Sequence, residues 1–245
     1  MTWRYPRVIA HRGGGRLAPE NTLAALAMAV RCGCRAVELD ARLSADGTPF
    51  LIHDATLDRT TSGTGRVAQT RDSVLCALDA GCRHSASFAD EPLPTLREAI
   101  ERCVELDLWA NIEIKAEAGE EAACGSAVAR IVSATWRGTV PLLSSFSTTA
   151  LEAARRAAPE LPRALLLRGF ARDWRTRAER LGCVGVHSKA AGITKHHVAA
   201  VHEAGFVLAC YTVNEPEPVE QLFAAGVDAV FTDRPDRIRA DAYAV

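Results

Sequence analysis

Two short segments put pairs of ionisable residues where a buried strand should be apolar. In AVELDARL, Glu38 and Asp40 stand two residues apart, and in LWANIEIK, Glu113 and Lys115 repeat that spacing. Positions two apart along a strand share a face, so each pair projects to one side while Val37 and Leu39, or Ile112 and Ile114, face the other. Interior strands of a parallel sheet read almost continuously apolar, and buried charge persists only when it is paired or bound to a metal. Three carboxylates with no cysteine beside them suit a hard, oxygen-loving divalent cation, so Mg²⁺ or Ca²⁺ is expected ahead of Zn²⁺. The competing reading is a set of structural ion pairs, Glu113 with Lys115 and Glu38 with Arg12.

His11 and His53 are the acid–base candidates. Each closes a short apolar run, VIAH and FLIH, which places it at a strand end, and histidine titrates near enough to neutrality both to take and to give a proton. Arg12, beside His11, offers a forked donor matched to phosphate oxygens. His187 ends another apolar run and is a weaker candidate for the same cavity. His196 and His197 are expected on a solvated helix surface, and His202 on a helix face. Histidines, cations and a carboxylate cluster together describe a metal-assisted hydrolase of a phosphate ester.

Such residues need a frame that brings strand ends together. β-rich runs begin near Val8, Ala36, Leu108, Pro141, Ala164, Val184, Phe206 and Ala229, at intervals of 28, 72, 33, 23, 20, 22 and 23 residues. Six intervals suit one strand–helix unit. Eight strands alternating with helices imply a parallel sheet, since parallel neighbours need a crossover, and the count favours closure into a (β/α)8 TIM barrel, α/β in class, over an open doubly wound sheet. HRGGG has the wrong glycine spacing for a dinucleotide fingerprint. Helices are expected over 21–32, with Asn21 as N-cap, and over 95–106, 194–204 and 215–225; Gly33, Gly205 and Gly226 follow three of them, and Pro216 sits near the first position of the last. The long second interval holds LIHD, reached by a turn at Asp46-Gly47, then an insertion over about residues 54–93 lying over the mouth of the barrel. A single domain over 1–245 is expected.

Composition narrows the class. With 29 Lys+Arg against 30 Asp+Glu the formal charge is -1, and 48% of residues are hydrophobic. A general nucleic-acid or anionic-membrane binder would need clustered positive charge, and no apolar run approaches the roughly 20 residues that span a bilayer. The N-terminus lacks the apolar centre of a signal peptide, so a cytoplasmic setting is expected. The eight cysteines show no CxxC pair; Cys103 and Cys210 sit in periodic segments as small hydrophobes, and reduced thiols are expected.

The segments HRGGGRLAPENTLAAL, AVELDARLSADGTPFLIHDATLDRTTSGTG, NIEIK, YTVN and GVDAVFTDRPD, in this order, resemble the glycerophosphodiester phosphodiesterases, with EPLPTL, LLSSF and AAPELPRALLL closest to small bacterial cytosolic members. The resemblance runs from about Tyr5 to Asp236. It implies a (β/α)8 barrel with a small insertion after the second strand, and hydrolysis of glycerophosphocholine, glycerophosphoethanolamine and the like to sn-glycerol 3-phosphate and an alcohol. It further implies one divalent cation, Mg²⁺ or Ca²⁺, held by Glu38, Asp40 and Glu113. His11 and His53 would be catalytic, Arg12 and Lys115 would contact phosphate, and Glu20 and Asn21 would support the first loop. The implied route uses the neighbouring glycerol hydroxyl as internal nucleophile, with the histidines exchanging roles before water opens a cyclic phosphate; direct attack by water is the alternative. Two departures bear on the leaving-group side: Cys82-Arg83-His84 where relatives often carry an aromatic residue, and Tyr211 where many carry Trp.

Three other functions compete. A Schiff-base aldolase would use Lys115, one of three lysines, but Glu113 should hold that amine protonated. A non-catalytic binding barrel would not retain both histidines and all three carboxylates. A phosphodiesterase acting on lysophospholipids or sphingomyelin would want an apolar docking segment, for which Val74, Leu75 and Leu78 are the available residues. The expected partner is therefore a small glycerophosphodiester, with neither nucleic acid nor stable membrane association.

Overall fold

The computed structural model describes residues 3–243. The chain alternates β1 (Val8–Ala10), α1 (Leu23–Arg31), β2 (Ala36–Leu43), β3 (Pro49–Leu51), α2 (Asp72–Leu75), α3 (Leu96–Glu105), β4 (Trp109–Ile114), α4 (Glu121–Thr135), β5 (Leu142–Ser145), α5 (Thr148–Ala157), β6 (Arg163–Leu167), α6 (Trp174–Leu181), β7 (Gly185–Lys189), α7 (Lys195–Glu203), β8 (Val207–Tyr211), α8 (Pro216–Ala224) and β9 (Ala229–Thr232). Eight strands run parallel in a closed ring. β1 pairs with both β2 and β9, with Ala10 opposite Val37 on one side and Thr232 on the other. β3 stands outside the ring, antiparallel to β2. The barrel and its extra strand are as expected from the spacing.

Helix ends follow local chemistry. Thr95 and Thr194 each accept the N–H three residues on and begin reciprocal capping boxes with Glu98 and His197. Pro216 occupies the first turn of α8, where its missing N–H leaves no helical bond unmade. The start of α1 differs from expectation. Thr22, not Asn21, is the N-cap, its Oγ1 accepting the N–H of Ala25 at 3.2 Å. Asn21 takes a left-handed conformation (φ 60°) before the helix begins, which frees its amide for the barrel interior.

The apolar faces of the strands meet the helices as the alternation requires. Val37, Leu39, Ile112 and Ile114 pack with Leu26, Ile100 and Val128 between sheet and helices, and Leu165, Val186, Leu208 and Val230 do the same on the other side. The lower barrel interior is filled by Ile9, Leu142, Phe231 and neighbours; Tyr5 stacks on Trp109 beneath them at 4.3 Å. The insertion builds its own small core from Ile52, Leu57, Val67, Leu75 and Leu93. Full burial of such an aliphatic side chain contributes about 1.5–3 kcal/mol, enough to hold a segment with little regular structure. Leu75 is fully buried in that core and Leu78 packs against it, leaving Val74 alone exposed. The apolar face that a lipid-acting reading required is therefore turned inward.

All eight cysteines are free thiols, with Cys103 and Cys210 fully buried. Among the described residues no helix is long and apolar enough to cross a membrane.

Candidate active site

β2 and β4 lie side by side with Asp40 opposite Glu113 and Glu38 opposite Asn111. The two-residue periodicity points Glu38, Asp40 and Glu113 into the barrel, where each can offer an oxygen within 4.8 Å of the others. Lys115, just past β4, reaches back to Glu113 Oε1 at 2.7 Å and Asp40 Oδ1 at 3.3 Å. Burial opposes its charge, but the Asp40 and Glu113 carboxylates prevail and raise its pKa. Such an amine is no Schiff-base nucleophile.

The ion-pair reading of this cluster holds only in part. Lys115 pairs with Glu113, but the Arg12 guanidinium does not pair with Glu38. Arg12 instead gives Glu38 Oε2 its backbone N–H, at 3.0 Å. Its side chain bonds Glu20 at 2.8 Å and lies 3.6 Å from Asp40. Glu38 Oε1 is buried with no hydrogen-bond donor, and Asp40 Oδ1, equally buried, makes no hydrogen bond and has only the Lys115 ammonium 3.3 Å away. An uncompensated buried carboxylate oxygen is costly, and burial beside Asp40 pushes Glu38 up to about 8. Asp40 goes the other way: burial disfavours its charge, but Lys115 and Arg12 hold its carboxyl well below the usual range. Crowded, donor-poor carboxylate oxygens of this kind fit a hard divalent cation, and Glu38, Asp40 and Glu113 would hold it.

His11 follows β1 and extends its ladder, its N–H donating to Thr232 O at 2.8 Å. Ring closure therefore sets His11 beside Asp233, and Nδ1 meets Asp233 Oδ1 at 2.6 Å. Asn214 holds that carboxylate: its Oδ1 accepts the Asp233 N–H at 2.8 Å and its Nδ2 donates to Asp233 Oδ2 at 3.2 Å. Nε2 faces inward, 3.7 Å from Glu38. Burial works against a charged His11, but the Asp233 hydrogen bond and Glu38 outweigh it and raise its pKa.

His53, after β3, is built alike. Its Nδ1 meets Asp54 Oδ1 at 2.7 Å. Asp54 also accepts from Arg59 Nε at 2.6 Å, and Arg59 grips Glu20 with two bonds of 2.8 Å. Glu20 in turn holds Arg12, so one chain of charge-assisted bonds ties the insertion to the loop after β1. The pKa of His53 is lowered, burial outweighing the Asp40 carboxylate. Both imidazoles thus have Nδ1 occupied by a carboxylate and Nε2 left for chemistry, an arrangement that orients a proton-transfer group.

The loop after β1 is shaped for this role. Arg12 is left-handed (φ 56°), a conformation rare for such residues and concentrated at functional sites. Gly15 (φ 60°) passes so close to Asp233 that a Cβ would meet its carbonyl oxygen at 2.3 Å. Asn21 pins β2, donating from Nδ2 to Asp40 Oδ2 at 2.8 Å and accepting the Asp40 N–H at 3.0 Å. Glu20 and Asn21 thus bond the Arg12 side chain and Asp40 respectively.

A cavity of about 760 Å³ opens at this end of the barrel, lined by His11, Arg12, His53, Lys115, Tyr211 and their neighbours. His187 lines it too, fully buried and with neither ring nitrogen paired. Tyr211 donates its hydroxyl to Leu167 O at 2.8 Å and sets its ring edge to Phe146. Cys82, Arg83 and His84 lie on the exposed insertion and do not line the cavity, so of the two departures only Tyr211 touches it.

Asp233, Asn214, Asp54 and Arg59 have no assigned role in the sequence reading. Asp54 directly follows His53, and the other two lie in YTVN and TDRPD; those adjacencies were the available signals. Arg59 carried none.

Residues 11–237 match the glycerophosphoryl diester phosphodiesterase family. A glycerophosphodiester phosphodiesterase of Caldanaerobacter subterraneus subsp. tengcongensis is 34% identical over 94% of this chain and 95% of its own. A phosphodiesterase of Oleispira antarctica, solved in complex with the product sn-glycerol-3-phosphate, is 35% identical with a TM-score of 0.94 over 98% of both chains. A glycerophosphodiester phosphodiesterase from Agrobacterium tumefaciens is 30% identical, with a TM-score of 0.79 over 96% of this chain and 98% of its own. With paired imidazoles and a buried carboxylate triad at the mouth of the same barrel, this chain belongs to the glycerophosphoryl diester phosphodiesterase family, and is a phosphoric diester hydrolase.

Proposed function

We propose that this chain hydrolyses small glycerophosphodiesters to sn-glycerol 3-phosphate and an alcohol, with His11 and His53 as the proton-transfer pair. The observation that carries the reading is the matched pair of imidazoles, each with Nδ1 held by an aspartate at 2.6 or 2.7 Å, beside three buried carboxylates. The glycerol hydroxyl next to the phosphate attacks phosphorus, forming a new P–O bond as the bond to the alcohol breaks. One histidine accepts the proton of the attacking hydroxyl and the other donates a proton to the departing alkoxide. Water then opens the cyclic ester with the two roles exchanged, returning both histidines to their starting state. The tethered nucleophile supplies proximity.

Glu38, Asp40 and Glu113 would hold one divalent cation, Mg²⁺ or Ca²⁺, which would supply stabilisation of charge on the phosphoryl oxygens. Arg12 and Lys115 add fixed positive charge at the same place. Glu20 keeps the Arg12 fork oriented, and Asn21 fixes Asp40 from both its side chain and its backbone.

The test is release of glycerol 3-phosphate from glycerophosphoglycerol and glycerophosphocholine, first with EDTA and then with Mg²⁺ or Ca²⁺ restored. Cation-restored release is expected. A folded protein releasing none under either cation would overturn the proposal.

A further inference from the structure

The catalytic groups occupy one side of the cavity. His11, Glu38, Asp40, His53 and Glu113 all come from β1 to β4 or the turn after β3, and every cation among them is paired: Arg12 with Glu20, and Lys115 with Glu113 and Asp40. The opposite wall, over β5 to β8, has a different character. Arg168 follows β6 and Lys189 ends β7; both line the cavity, and neither has a carboxylate within ion-pairing distance among the described residues. The Arg168 guanidinium lies over the Phe146 ring, 4.9 Å from its centroid.

This contact decides between head groups. Quaternary and primary ammonium groups are recognised by open aromatic faces and nearby carboxylates. Here the Phe146 face is already covered by the enzyme's own cation. The carboxylates lining the cavity are Glu38 and Glu113, committed to the catalytic cluster, and Glu121, whose Oε2 accepts the Gly119 N–H of its own turn at 2.8 Å. An ammonium entering this wall would meet two unneutralised cations. An anion would find two, one of them a forked donor fit for carboxylate or phosphate.

The attacking hydroxyl and the departing oxygen each lie by a histidine, and the remainder of the variable alcohol arm, beyond that oxygen, has the wall bearing Arg168 and Lys189 to extend along. Resting on the proposed phosphodiesterase reading, we propose that Arg168 and Lys189 select glycerophosphodiesters whose departing alcohol carries a carboxylate or a phosphate. The shared chemistry is a second negative charge on the leaving group.

The test uses the metal-loaded enzyme and glycerol phosphate esters of near-equal size with leaving groups glycolate, ethylene glycol, ethanolamine and choline; a fifth, the ester of glycerol 3-phosphate, separates phosphate from carboxylate recognition. Two exposed cations acting through high dielectric give roughly a tenfold preference per added charge. The expected order of kcat/KM is therefore anionic, then neutral, then cationic, with the anionic advantage shrinking as salt rises. Arg168→Glu should compress or invert that order. Equal rates across the series, or faster release of ethanolamine and choline that Glu121→Gln removes, would overturn the selection while leaving the phosphodiesterase reading intact. No release from any ester would overturn both.

Discussion

His187 makes a quantitative test of how dry and apolar the floor of the cavity is. Its ring packs against Phe231 at 5.1 Å, and burial alone pushes its pKa down to about 3 from the ordinary 6.5. Between those two values the unfolded chain binds a proton that the folded protein refuses. Stability is therefore complete above about pH 6.5 and is lost as the pH falls toward 3. At about pH 5 the folded state stands roughly 1.5 pH units below the unfolded pKa, and at about 1.4 kcal/mol per unit the loss is about 2 kcal/mol. For a chain of this size that is roughly 4 to 8 °C in Tm. His187→Leu removes the titration with little change of volume. Thermal unfolding of both proteins at pH 7.5 and pH 5, in EDTA, measures the difference; the cavity carboxylates titrate in both proteins and cancel from the comparison. The wild type should lose about 2 kcal/mol more than the variant on acidification. Parallel losses would show that the imidazole is protonated in the folded state, and the dry floor would have to be abandoned.

Three further outcomes are expected. His11→Ala and His53→Ala should each lower kcat by about 10²-fold or more with the circular dichroism spectrum unchanged; near-normal kcat in either would end its proton-transfer role. Asp233→Asn leaves the imidazole in place but removes the charge that orients and sustains it, so kcat should fall by about 10²-fold with KM little moved, and the acid–base limb assigned to His11 should shift to lower pH. Glu113→Gln removes one of three buried carboxylates, so calorimetric titration with Mg²⁺ or Ca²⁺ should show affinity weakened at least about tenfold; unchanged affinity would place the cation elsewhere.

What was legible in the sequence is what depends on local periodicity. Paired ionisable residues at spacing two announced inward-facing strand positions, and Glu38, Asp40, Glu113 and Lys115 converge as that spacing required. The intervals between apolar runs located the barrel strands to within a residue or so, and the anomalous one contained β3 and the insertion. Competition between neighbours was less legible. Asn21 and Thr22 are both good caps, and nothing local says that tertiary bonding to Asp40 claims Asn21 and leaves the helix to Thr22. The same holds for Leu75 and Leu78, whose apolar character fits an exposed docking face as well as it fits the small core they form.

The hidden part of the site follows from ring closure. His11 and Asp233 are 222 residues apart, and on an open sheet with β1 and β9 at opposite edges they would never meet. Closure with Ala10 opposite Thr232 makes the next residues of the two strands neighbours, and so gives His11 the carboxylate that orients its Nδ1. The contact then imposes a condition on the sequence far away. The loop leaving His11 must pass over Asp233 at backbone distance, which a side chain at position 15 would forbid. The third glycine of HRGGG, read alone, looks like a failed phosphate loop; beside Asp233 it is the clearance that lets a histidine on the first strand be set by an aspartate after the last.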